Sequence, residues 1–245
     1  MLITGASRGI GAATARLAAE NGFAVAVNYH RSREEAERLV DEIRSQGGRA
    51  VALGADASRE EDILLLFAET ERLLGGLDCL VNNAGILERQ GRVEGMESDR
   101  LQRVFTTNII GPFLCAREAV RRMSIRHGGR GGTIVNVSSL AAKTGAPNEY
   151  VDYAASKGAL DPLTVGLARE VAAEGIRVNG VRPAFIHTGI HAAGGEPGRI
   201  ERLQGNIPLQ RGGTPREVAE AILWLASDKS AYTTGTFIDV TGGVR

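Results

Sequence analysis

The sequence predicts an α/β fold: one doubly wound domain of the Rossmann type, with a seven-stranded parallel sheet covered by helices on both faces. Three observations carry this expectation. Strand-like and helix-like stretches alternate from end to end. The strand candidates are short continuous apolar runs, as strands buried on both sides require. The 245 residues suffice for one large core, and no linker, repeat or compositional break divides them, so residues 1–245 read as a single domain.

In chain order the strand candidates are Leu2–Thr4, Phe23–Asn28, Ala50–Gly54, Asp78–Asn82, Thr133–Ser138, Arg177–Val181 and Phe237–Val240. The first is short for its place, which predicts a somewhat frayed strand. Alanine-rich, helix-favouring sequence runs from Ala12 to Glu20. Capping boxes predict three further helix starts, at Ser32 with Glu35, Ser58 with Glu61 and Thr214 with Glu217. In the last, Pro215 takes the first helical position, where its missing N–H is harmless. Ile63, Leu66, Phe67, Leu73 and Leu74 keep helical spacing and are expected to face the sheet. Gly128, Gly129, Gly131 and Gly132 read as the loop before the fifth strand. Residues 184–213 hold Gly194, Gly195, Pro197 and Pro208 and lack a clean period, too long a stretch for an ordinary connection.

Charge and cysteine usage narrow the function. The 29 basic residues balance 29 acidic ones, so no basic field draws the chain to nucleic acid or an anionic membrane. No apolar run reaches the roughly 20 residues that span a bilayer, and the amino terminus does not look like a secretion signal; a cytoplasmic protein is expected. Cys79 and Cys115 read as small buried hydrophobes, not a disulfide, metal site or nucleophile.

Chemistry enters through two local patterns. Thr4-Gly5-Ala6-Ser7-Arg8-Gly9-Ile10-Gly11 follows the first strand and opens the first helix. Small residues there let the backbone turn tightly, and the free N–H groups of a helix start form an anion site. Tyr153 and Lys157 lie one helical turn apart, so phenol and ammonium share a face. A fixed positive charge pulls a phenol towards titration near neutral pH, as a proton donor requires.

With Asn82-Asn83-Ala84-Gly85, Asn108 in Thr107-Asn108-Ile109, and Ser139 closing Ile134 to Ser139, five motifs stand in one order, and the whole chain resembles the short-chain dehydrogenase/reductase family. The 3-oxoacyl-carrier-protein reductase and glucose dehydrogenase-like branches are the most similar. The resemblance implies hydride transfer between a nicotinamide and a small-molecule carbonyl or secondary alcohol. It gives Tyr153 the role of general acid/base, Lys157 that of lowering its pKa and holding the nicotinamide ribose, and Ser139 the substrate oxygen. Asn108 would anchor a water near Lys157. Ser139 precedes Tyr153 by fourteen positions, one more than is usual, and the loop from Gly145 to Glu149 is expected to absorb the extra residue. Ser138 would lengthen the gap further. Tyr150 lies seven residues from Lys157 rather than four and reads as a loop aromatic lining the pocket.

For the cofactor, the resemblance implies that Gly5, Ser7, Arg8, Gly9, Ile10 and Gly11 cradle phosphate and ribose. It puts Asp56 at the adenine edge, with Asn82, Ala84 and Gly85 on the adenosine side. Asp56 reads equally well as a turn residue. Pro183, Ile186 and Thr188 would hold the nicotinamide end; Ala184 stands where the family usually has glycine, which restricts that turn. No metal is implied, since His187 and His191 have no acidic or cysteine partner to complete a site. Residues 184–213 would form the substrate lid.

NADP(H) is the expected cofactor, with NAD(H) possible. The second strand ends at Asn28, and Tyr29, His30, Arg31 and Ser32 follow, with no acid to read a ribose 2′-hydroxyl until Glu34. Asn28 can donate to either cofactor, while Arg31, Arg8 and Ser32 could flank a 2′-phosphate. The alternative is that both arginines are solvated charges and Ser32 only a cap. Apolar Phe237, Ile238 and Val240 on an edge strand, read with the family, predict a homotetramer with two-fold interfaces. A catalytically silent dinucleotide sensor or a scaffold on the same fold remains the alternative function.

Overall fold

Side chains alternate across a strand, so a strand buried on both faces must feed two cores. The computed structural model, which describes residues 1–245, shows this division. Ile3, Val27, Val81 and Val135 enter one core, and their neighbours Leu2, Ala26, Leu80 and Ile134 enter the other. The strands are β1 (Leu2–Ile3), β2 (Val25–Tyr29), β3 (Ala50–Gly54), β4 (Cys79–Asn82), β5 (Gly132–Val137), β6 (Ile176–Pro183) and β7 (Phe237–Val240). All pair in parallel, in the order β3-β2-β1-β4-β5-β6-β7. The order reverses between β1 and β4, which opens a crevice at the carboxyl ends of the strands.

Helices α1 (Gly9–Glu20) and α2 (Arg33–Ser45) cover the first core, and α3 (Glu60–Leu74) the second. Then come α4 (Ser98–Phe105), α5 (Gly111–Met123), α6 (Ala141–Thr144), α7 (Val151–Gly158) and α8 (Leu160–Val171). Short α9 (Ile190–Ala193) and α10 (Arg199–Leu203) precede α11 (Pro215–Ala226). α11 packs beside α1 on the first core, and α5 and α8 join α3 on the second. Cys79 and Cys115 are buried in opposite cores as free thiols, and burial pushes the Cys115 thiol up to about 12.

Several expectations need correction. β1 is short but not frayed: it lies inside the sheet, paired to β2 and β4, and the Met1 amino group donates to the Ala24 carbonyl at 2.8 Å. Phe23 is outside β2, because its N–H closes the end of α1 on the Ala18 carbonyl. Of the three capping boxes only Thr214–Glu217 forms. Ser32 makes no capping bond, and Ser58 instead donates its N–H and hydroxyl to Asp56, at 2.9 and 2.7 Å, so that α3 starts later. Ile63, Leu66 and Phe67 are buried as expected, whereas Leu73 and Leu74 are only half-buried. The apolar edge is blunted too. Ile238 and Val240 are half-buried against the first core, Arg182 lies 3.8 Å over the Phe237 ring, and Asp239 bonds Lys143 and Arg182. No helix is long and apolar enough to cross a membrane.

Candidate active site

The carboxyl ends of β1 to β6 open into a single cavity of about 930 Å³. Gly5, Ser7, Arg8, Gly9 and Ile10 line one end, and Ser139, Tyr153 and Lys157 the other.

The first end is built from backbone. Gly5 sits at φ +60° with a Cβ position only 2.9 Å from the Ala84 Cα, so no side chain fits there. Gly9 is also left-handed, at φ +58°, and faces Thr188. Helix α1 follows with no side-chain cap, which leaves its first N–H groups for an anion. Gly11 does not line the cavity; it lets α1 close onto Ala6 and Gly5. Two residues beneath hold the turn. Asn83 donates its side-chain amide to the Thr4 and Gly5 carbonyls, both at 2.9 Å, and the Thr4 hydroxyl accepts the Asn83 and Ala84 N–H groups. These cradle features fit a dinucleotide phosphate.

Other nucleotide-side residues divide. Arg8, Arg31, Ser32, Asp56 and Ala84 line the cavity, with both arginines exposed. Asn28 reaches it too, but its side chain is spent: Oδ1 accepts the Gly5 N–H at 3.1 Å and Nδ2 donates to the carbonyls of Leu53 and Ala55. It supports the turn and has no bond to offer either cofactor. Asn82 faces away into the sheet, donating to Asn136 and the Pro112 carbonyl. Asp56, besides holding Ser58, lies 3.6 Å from His30.

At the other end, α7 presents Tyr153 and Lys157 together, with the ammonium 5.8 Å from the ring centre. Lys157 is held at both ends. Its Nζ donates to the Val137 carbonyl at 2.8 Å, and its own carbonyl accepts the Ser138 hydroxyl at 2.9 Å. Both Ser138 and Ser139 line the cavity, but the buried Ser138 hydroxyl is spent on Lys157, whereas the half-buried Ser139 hydroxyl accepts the Ala141 N–H at 3.1 Å and lies beside Tyr153. Gly85 lies against this group: a Cβ there would stand 3.2 Å from Lys157 Nζ. Burial pushes the Tyr153 phenol up to about 12, against the pull of Ser139, and brings Lys157 down to about 8. In the protein alone, then, desolvation is the largest cause for both groups, and the phenol stands above its ordinary value rather than below it.

Asn108 sits in a π-helical turn, Thr106–Ile110, between α4 and α5. Its side chain is fully engaged: Oδ1 accepts the Ile86 N–H at 2.8 Å, and Nδ2 donates to the Ile86 carbonyl and Ser156. Ser156 in turn bonds the Tyr153 carbonyl, so Asn108 braces α7 between the two key residues. The donor an α-helix would supply to the Asn108 carbonyl belongs to Pro112, which has no N–H. Irregular π turns of this kind recur at functional sites.

The segment 184–213 is not without structure. Its ends are tied by the His187 N–H to the Gly213 carbonyl and the Gly213 N–H to the Phe185 carbonyl, both at 2.9 Å, with α9 and α10 between. Pro183, Ile186, Thr188, Ile190, His191 and Ala193 line the cavity. Ala184 is not in the left-handed region, so the turn accepts it without strain. His187 is exposed, and His191 is buried with Nε2 3.0 Å from the Ile186 carbonyl. Tyr150 is buried and donates to the Gly194 carbonyl at 3.2 Å instead of lining the cavity.

Comparisons with known proteins agree with this geometry. A family model described as enoyl-(acyl carrier protein) reductase matches residues 5–245. The uncharacterized oxidoreductase YgfF of Escherichia coli is 56% identical over 242 residues, covering 99% of this chain and 98% of that protein. A 3-oxoacyl-[acyl-carrier-protein] reductase of Staphylococcus aureus is 39% identical over 243 residues, covering 99% and 96%. Among solved structures, a 3-ketoacyl-(acyl-carrier-protein) reductase from Brucella melitensis complexed with NADH superposes with a TM-score of 0.90 at 32% identity, covering 99% of this chain and 96% of that one.

Proposed function

The chain belongs to the short-chain dehydrogenase/reductase family, and from that premise we propose that it reduces a small carbonyl compound, or oxidises the matching secondary alcohol, with Tyr153 as general acid/base and NADP(H) as preferred cofactor. The observation that carries the reading is Tyr153 and Lys157 on one face of α7, with Ser139 at the same end of the cavity that begins at the uncapped start of α1.

When bound, the nicotinamide supplies a hydride to the carbonyl carbon. The Tyr153 phenol, which is protonated at neutral pH, donates its proton to the carbonyl oxygen as that oxygen gains charge. Ser139 holds the same oxygen and orients it. The Lys157 ammonium favours the phenolate left behind, bonds the nicotinamide ribose, and passes a proton inward from a water on the Asn108 carbonyl. Gly5, Ser7, Gly9 and Ile10 with the start of α1 hold the pyrophosphate; Pro183, Ile186 and Thr188 hold the nicotinamide end. Asp56 and Ala84 flank the adenosine.

The NADP(H) preference rests on Arg8 and Arg31, exposed along the cavity beside Ser32. Asp56, the acid on that rim, is committed to Ser58 and faces His30. A homotetramer is the proposed assembly. Trp224, exposed on α11, and fully exposed Tyr232 give it apolar contact surface next to β7. A cytoplasmic location is proposed with it.

The test is a panel of ketones, sugars, steroids and 3-oxoacyl thioesters followed at the nicotinamide absorption band. Turnover of at least one carbonyl, faster with NADPH than NADH, is expected. Tight cofactor binding with no turnover of any would establish the silent-sensor alternative instead.

A further inference from the structure

Beyond Tyr153 the cavity is walled by the loop after β4 (residues 86–91) and by segment 184–213, and the loop before α7 (145–150) packs behind them. All three are stitched together at one place. The Gly194 carbonyl, in the lid, accepts both the Gln90 N–H and the Tyr150 hydroxyl, each at 3.2 Å. The Gly91 N–H donates to the Glu149 carbonyl at 2.9 Å, which joins the other two stretches to each other. Charge reinforces the seam. Arg199 of the lid donates to Glu149 at 2.5 Å and to Glu196 at 3.1 Å, and Gln90 donates to Glu196 at 2.6 Å. Arg202 pairs with the same two carboxylates.

This is a built joint. Arg199 is only 8% exposed and lies 5.1 Å over the Tyr150 ring. Gly194 is wedged so closely that a Cβ would come within 2.8 Å of the Tyr150 hydroxyl and 2.9 Å of Leu87. Leu87 and Ala193 line the cavity on its inner side, so the seam lies directly outside the substrate end. Leu87, Ser139, Tyr153, Ile190, His191 and Ala193 are among the residues that line the cavity on this side.

We propose that Glu149 and Arg199 are specificity-determining residues: their pairing latches the lid to the loop before the Tyr153 helix, so that the site accepts compact carbonyl compounds and rejects the same carbonyl carried on a long tether. The assignment rests on the reductase reading above and narrows its substrate class. It also gives the extra residue between Ser139 and Tyr153 a function, since the loop it lengthens carries Glu149. Neither residue touches the reacting atoms; both act by holding the wall against Gly194.

The test uses one reacting group on three carriers: ethyl acetoacetate, acetoacetyl-pantetheine and an acetoacetyl-carrier protein, each reduced with NADPH. Wild type is expected to favour the ester over both thioesters by about a hundredfold in kcat/KM, a discrimination that binding contacts can supply. Glu149→Gln and Arg199→Met should shrink that preference about tenfold or more, through a lower KM for the thioesters, with the NADPH Kd unchanged. Arg199→Lys, which keeps the charge facing Glu149 and Glu196, should keep it. Wild type that uses ester and thioesters equally would overturn the assignment, and so would latch variants that lose activity on all three alike. Wild type that binds NADPH but reduces no carbonyl in the wider panel would overturn the reductase reading itself, and this assignment with it.

Discussion

The two ends of the cavity are made of different materials. The phosphate end is backbone: glycines at positive φ, an uncapped helix start, and side chains such as Asn28 and Asn83 that serve only to hold main chain. The substrate end is side chain: a phenol, an ammonium, a hydroxyl and, outside them, a seam of four charged residues. A backbone cradle tolerates no side chain but makes few demands on distant sequence. A side-chain site depends on partners far along the chain, and its specificity can change without disturbing the cradle.

That contrast explains what was legible in the sequence. The cradle motif is contiguous, so Gly5 to Gly11 and the helix behind it could be located, and the i,i+4 spacing of Tyr153 and Lys157 set both on one face. The alternation of segments gave seven strands in the right places, with bounds shifted by a residue or two. Partners were not legible. Nothing local says that Asn28 spends its amide on Leu53 and Ala55, or that Asn82 turns into the sheet while Asn83 braces the turn. The Ser58 box failed because Asp56 competes for the Ser58 N–H and hydroxyl. The bonds of segment 184–213 to residues about 50 and 100 positions away could not be read at all.

Lys157→Ala should have the largest effect, because the proposed function gives Lys157 a part in both the reaction and cofactor binding. Loss of its help to the proton donor should lower kcat by about 10² to 10⁴. Loss of a charge-assisted bond to the ribose should weaken cofactor binding by about tenfold or more. Steady-state kinetics and cofactor titration on one preparation separate the two; an intact Kd would restrict Lys157 to the substrate end.

Gly5→Val tests the cradle alone. A β-branched residue at φ +60° costs about 1–2 kcal/mol in backbone strain, and its Cβ overlaps Ala84. Cofactor affinity should fall by about tenfold or more, and kcat at saturating cofactor should change far less. Equal losses in both would mean the two ends are not separable.

Arg31→Ala should weaken NADPH binding about tenfold while leaving NADH nearly unmoved, the size of one charge-assisted bond to phosphate. A NADPH/NADH ratio of kcat/KM that stays put would remove Arg31 from the cofactor site.

Acidity separates function from stability. Lys157 carries its charge below about 8, so carbonyl reduction should decline as pH rises through that value. Stability should move the other way. Between about 8 and the ordinary 10.5 the unfolded chain holds the Lys157 proton and the folded chain does not, so folding gains as pH rises across that window. Urea melts of wild type and Lys157→Met should show that gain only in wild type.

Tyr153→Phe bears most directly on the central claim, that Tyr153 is the proton donor. The measurement is kcat for the best carbonyl substrate, with the NADPH Kd taken on the same sample, in wild type, Tyr153→Phe and Tyr150→Phe. Removing only the phenolic oxygen should lower kcat by about 10² to 10⁴ with the Kd unchanged in Tyr153→Phe, while Tyr150→Phe, which loses one bond to the Gly194 carbonyl, should retain most of its turnover. An active Tyr153→Phe beside a dead Tyr150→Phe would contradict the account.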